Sequence, residues 1–148
     1  MLSSATKSLG RAGCSMTAPH ESWFRKAEDD IAFARLGLEH CYYSQVCFLS
    51  QQAAEKALKA LLLLKTDSHP HIHNLVELIR RCAVHTPKAL DLTDRARILD
   101  QYYIPSRYPD GVPGGLPAGL PGQRHAEEAL DTADAILNFC REATVEDV

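Results

Sequence analysis

Apolar residues in this chain return every three or four positions, and no stretch shows the every-second-residue alternation of a half-buried strand. That periodicity restricts the fold to helices. From Glu21 to Glu39 the stripe is Trp23, Ala27, Ile31, Ala34 and Leu38. A second helix is expected from Ser44 to Lys65, with Ser44 as its cap. Its face of Ala53, Ala54, Ala57, Leu58, Leu61 and Leu64 mixes small and branched residues, which lets neighbours approach closely and suits a central position. A third helix begins near His73 or Asn74 and carries Leu75, Leu78, Ile79 and Cys82. A fourth follows Pro87 with Leu90, Leu92, Ala96, Leu99 and Tyr103. The last runs from Arg124 to Glu142 through Ala126, Leu130, Ala133, Ile136, Leu137 and Cys140. The expected ranges are 22–40, 44–65, 73–84, 89–103 and 124–142, in an all-α, up-and-down bundle of about five helices.

One segment breaks the pattern. Ile104 to Gln123 holds five prolines and five glycines in twenty residues, too many for a helix or a strand. A loop of that length inside one domain is often functional. Its first part, Tyr102 to Asp110, concentrates aromatic and charged side chains, and the remainder reads as spacer.

At 148 residues one domain is expected, spanning residues 21–148 behind a flexible extension over 1–20. Residues 1–16 carry Lys7 and Arg11 and no acid, a composition shared by transit peptides and by an extension ahead of a start at Met16. The expected location is cytoplasmic. No run is long enough to span a membrane. The net charge of −3 argues against a dominant electrostatic grip on duplex nucleic acid but leaves room for a local phosphate pocket. Five cysteines, with no CxxC pair, read as free thiols, those at Cys47, Cys82 and Cys140 being buried.

Arg107, between Tyr103 and Tyr108, is the candidate anion ligand. Its guanidinium is a planar fork of five donors matched to phosphate, and the tyrosines can stack a base or hold the arginine. The same residue can instead tie the loop to a helix end or to an acid such as Glu55. Lys56 and Lys59 either add charge to that site or form a solvated helix face. His69, His71 and His73 alternate, but without a neighbouring cysteine the run reads as a polar turn, and no metal is expected. No glutamate precedes a histidine by three, which removes a ferritin-like centre. A nucleophile elbow and a phosphate-binding glycine loop are missing too, so no catalytic residue and no cofactor are assigned.

Three motifs carry a family resemblance: Gln51 to Leu61, then His73-Asn74-Leu75, then Tyr103 through Arg107-Tyr108-Pro109. With Ala27 to Asp30 and Ala126 to Ala129 at the two ends, the chain from about Ser22 to Glu142 resembles the HEPN (higher eukaryote and prokaryote nucleotide-binding) family in its minimal free-standing form. The resemblance implies a helical bundle, often dimeric, and frequently encoded beside a small nucleotidyltransferase as a toxin–antitoxin-like pair. Many relatives are metal-independent RNases that use an arginine followed four to six residues later by a histidine. Here Arg107 matches the arginine, but positions 112 to 114 hold Val112, Pro113 and Gly114, and the next histidine is His125. Arg35 with His40 and Arg80 with His85 meet the spacing on helices one and three, as chance matches.

The reading reached is a protein that binds a nucleotide or RNA phosphate through Arg107, Tyr108, Asp110, Lys56, Lys59, His73 and Tyr103. A homodimer and a nucleotidyltransferase are its expected partners. Two alternatives stand beside it. One is an RNase toxin pairing Arg107 with Asp110 or His73; the other is an interaction module without chemistry.

Overall fold

In the computed structural model, residues 17–103 and 121–146 are described. The helices are α1 (Pro19–Glu39), α2 (Tyr43–Thr66), α3 (Leu75–Ala83), α4 (Thr93–Asp100) and α5 (Gln123–Val145), with a 3-10 turn over Pro87–Leu92 ahead of α4. No strand occurs among the described residues. The all-α reading of the sequence holds.

α2 is the axis of the bundle. It packs chiefly against α1 and α5, and less extensively against α3 and α4. Ala53, Ala54, Ala57, Leu58, Ala60 and Leu61 are all fully buried along it. Alanines at the contact let backbones approach, and the leucines supply the apolar area; burying one such leucine contributes about 1.5–3 kcal/mol. At the α1–α2 corner Gly37 serves the same end: a Cβ there would sit 3.0 Å from Val46 Cγ2. The turn itself passes through Cys41 at φ 64°, a conformation L-residues seldom adopt.

The stripe on α1 lies slightly rotated from its sequence reading. Phe24, Ala27, Ile31, Ala34 and Gly37 are buried, whereas Trp23 and Leu38 are only half-buried. Phe24 is covered by the far end of the chain. Arg141 on α5 lies over its ring at 4.4 Å and donates to Glu21 at 2.8 and 3.0 Å and to Glu28 at 3.0 Å. The guanidinium fork thus joins the last helix to the first.

Two local expectations are corrected. Ser44 does not cap α2; Tyr42 holds that position with no side-chain bond. The chain after Pro87 enters a 3-10 turn in which Ala89 is buried and Leu90 is exposed, because three residues per turn place a different side chain inward. Cys47, Cys82 and Cys140 are buried free thiols, as read from the sequence, and Cys41 is exposed. Among the described residues no helix is long and apolar enough to cross a membrane.

Candidate functional site

The polar centre of the molecule is assembled from α2, the start of α3 and the end of α4. Gln51, Glu55 and Lys59 recur every fourth residue on α2, so they stand on one face. All three are buried, at 0%, 6% and 4% residue exposure. Charged groups this deep require partners. Lys59 Nζ donates to Glu55 Oε2 at 3.1 Å, and both Glu55 oxygens lie 3.2 Å from Nδ1 of His73. Glu55 therefore stands between a lysine on its own helix and a histidine from the loop before α3.

His73 is fixed from three sides. Its backbone carbonyl accepts from Gln51 Nε2 at 3.0 Å. Its ring stacks on Tyr103, centroids 5.1 Å apart. Its neighbour Asn74 caps α3, accepting from the amide of Glu77 at 2.8 Å. The remaining first-turn amides of α3 turn to Asp100 at the end of α4: Leu75 donates at 2.8 and 3.0 Å and Val76 at 3.3 Å. Burial pushes the Asp100 carboxyl above its ordinary value, against the pull of those amides and of the Gln51 side chain. Asp100 thus holds α3 and α4 together, so that Tyr103, three residues on, meets His73.

Of the residues expected at a ligand site, Lys59, His73 and Tyr103 converge here. Lys56 does not join them. One turn earlier than Lys59 and directed elsewhere, it pairs with Asp30 on α1 at 2.5 Å. The charge of each lysine is thereby met within the protein. Arg107, Tyr108 and Asp110 lie outside the described residues. The histidine run divides: His69 sits edge-on to Trp23 at 4.6 Å and 6.1 Å from His71, while His73 turns to Glu55. Arg80, of the second chance spacing match, pairs with Glu77, and Arg35 pairs with Asp134.

Sequence reasoning missed two kinds of member in this cluster. Gln51 and Glu55 lie within the Gln51–Leu61 motif, and their four-residue spacing with Lys59 is the signal for a shared face. Asp100 offered no local signal, since its partner amides lie about 25 positions earlier in the chain.

The arrangement can do two things chemically. A half-exposed imidazole held at Nδ1 presents Nε2 for hydrogen bonding or proton transfer, and an aromatic pair beside it is a surface on which a base can stack.

Comparison with known proteins agrees with this frame. TT1696 from Thermus thermophilus is 35% identical with a TM-score of 0.75, the match covering 86% of this chain and 99% of that one. ST0689, described as an archaeal HEPN homologue, is 36% identical with a TM-score of 0.67, covering 85% and 98%. A protein of Methanocaldococcus jannaschii named "Putative toxin MJ1304" is 27% identical over 128 residues, 81% of this chain and 84% of that one. The model of the HEPN domain matches residues 20–143, and the chain belongs to the HEPN family.

Proposed function

We propose that this HEPN protein binds a nucleotide or an RNA phosphate at the His73–Tyr103 cluster, acts as a homodimer and pairs with a small nucleotidyltransferase in a toxin–antitoxin-like system. The observation that carries the binding reading is the His73 ring, held at Nδ1 by buried Glu55 and stacked on Tyr103. Tyr103 leads directly into the segment that bears Arg107 and Tyr108. In this reading the Arg107 fork takes the phosphate and the aromatic pair takes the base. The similarity to a protein named as a toxin supports the toxin–antitoxin setting.

Arg107→Ala tests it. Nucleotide or short-RNA affinity should fall by about 1.5–3 kcal/mol, the worth of a hydrogen bond to a charged group, with the melting temperature kept. Arg107→Lys should restore part of the loss, because an ammonium cannot reproduce the bidentate fork. Unchanged affinity beside a large loss of stability would instead favour the interaction-module reading.

A further inference from the structure

We propose that the pocket between the α2–α3 loop and the end of α3 holds a second phosphate of the ligand, so that an RNA strand rather than a mononucleotide is what this protein takes. The assignment rests on the RNA-phosphate reading above. The pocket measures about 410 Å³, within the range of small-ligand sites. Leu62, Pro70 and Val84 give it apolar walls, and His69, Arg81 and His85 line it with ring and guanidinium nitrogens. Among the described residues that line it there is no carboxylate. The cleft between α4 and α5, of about 250 Å³, differs in this respect, because Glu128 and Asp131 accompany Arg95 there. An anion is favoured in the first and opposed in the second.

The charge in the pocket is left over from a shared partner. Arg80 engages both Glu77 oxygens, through Nε at 2.9 Å and Nη2 at 2.6 Å, whereas Arg81 reaches Glu77 through Nε alone at 3.1 Å. One carboxylate against two guanidiniums leaves one positive charge unmet. It also leaves the two Nη groups of Arg81 without a partner among the described residues, and that edge fits two phosphate oxygens at once. The carbonyls at the end of α3 would oppose an anion. They are met by the chain itself: Val84 donates to the Arg81 carbonyl at 3.3 Å, and His85 and Thr86 donate to that of Cys82 at 3.0 and 2.9 Å.

His69 is the second sign of an unfilled site. Its Nδ1 is shut off from solvent and has no hydrogen-bond partner, and the ring rests edge-on against Trp23. Buried polar atoms are seldom left unpaired, and turning this ring toward the pocket breaks no hydrogen bond at Nδ1. Thr66 Oγ1 lies 2.8 Å from the carbonyls of both Leu62 and Ser68, which fixes the turn that carries His69. His69 and His73 are four positions apart, so their backbones are separated by at most about 14 Å, a span that a short single strand covers. One phosphate then falls to Arg107, by the reading above, and the next to Arg81.

The test compares a single-stranded RNA oligonucleotide, a ribonucleoside monophosphate and inorganic phosphate, on the full chain with its histidine ring signals assigned by NMR. The oligonucleotide should shift His69 and His85 together with His73 in one saturable transition. The monophosphate should shift His73 and need at least about tenfold more ligand to move His69 and His85, since only the strand delivers its second phosphate at high effective concentration. By fluorescence anisotropy, Arg81→Gln should weaken oligonucleotide binding about ten- to a hundredfold and lower its log–log salt slope by about 0.7, the share of one phosphate contact. Arg81→Lys should recover part of the loss. His85→Gln, outside the Glu77 pairs, should weaken binding too, which separates a lost contact from a disturbed α3. Shifts at His73 and Tyr103 with His69 and His85 unmoved overturn the second site and leave the first reading standing. Wild-type affinity and salt slope in Arg81→Gln do the same. Saturation of the pocket by inorganic phosphate at lower concentration than by the oligonucleotide makes it a small-anion site and overturns the strand assignment. Movement of His69 and His85 with His73 and Tyr103 still overturns the first reading and the strand with it, and no saturable shift anywhere overturns both sites.

Discussion

The His73 imidazole lies nearly parallel to the Tyr103 ring, with 13° between the planes and 5.1 Å between centroids. Thirty positions separate the two in sequence, and the contact spans the loop before α3 and the turn after α4. It depends on Asp100, whose carboxylate gathers the Leu75 and Val76 amides and so fixes the distance between those two ends.

That stack should be measurable as a coupling energy. Single and double alanine variants at His73 and Tyr103, unfolded in denaturant, should give an interaction term of about 0.5–1.5 kcal/mol, the range for aromatic pairs. A term of zero would mean the rings do not hold one another in solution.

Thiol chemistry should divide the cysteines by depth. Burial pushes the Cys47 and Cys82 thiols up to about 12 and raises Cys140 as well. The thiolate is the reactive form, so these three should resist a maleimide or disulfide reagent in the native state. Exposed Cys41 should label readily. Peptide mapping after brief labelling checks this, and labelling of Cys140 at the rate of Cys41 would contradict the packing of α5 on α2.

Acid should weaken the fold partly through α3. The Glu77 carboxyl is lowered from 4.5 to about 2, first by the hydrogen bond from Arg80 and then by that from Arg81. A carboxyl depressed in the folded state stabilises above its unfolded value and loses that contribution as the pH falls through its folded one. The stability advantage of wild type over Glu77→Gln should therefore be full above pH 4.5 and fade between there and about pH 2. Melting curves of the pair across that window test it. These groups are solvated, so added salt should shrink the difference.

How far the sequence spoke depended on whether the responsible partner was near in the chain. The buried faces of α2 and α5 follow from spacing alone, because a helix shows its inward side every three or four residues. The start of α3 near His73 or Asn74 was equally local, and the structure begins the helix at Leu75 with Asn74 as its cap. Trp23 and Phe24 both fit the three-and-four spacing with Ala27 and Ile31, so spacing alone did not choose between them; the structure buries Phe24, with Arg141 of the last helix over its ring. Likewise Lys56 and Lys59 look like neighbours in sequence, yet Asp30 draws one toward α1 and Glu55 holds the other inside. Of the candidate site, the motif residues were visible, and Asp100 was hidden because its role lies in a contact with backbone amides.

The central claim is that a phosphate-bearing ligand sits at the His73–Tyr103 pair. An NMR titration reads this directly, with the imidazole and phenol ring signals assigned and a ribonucleotide or short RNA added. The account predicts saturable shifts at His73 and Tyr103, with His20 on α1 and His40 just beyond its end unmoved. Shifts elsewhere with these two rings unchanged, or no saturable shift at millimolar ligand, would contradict it.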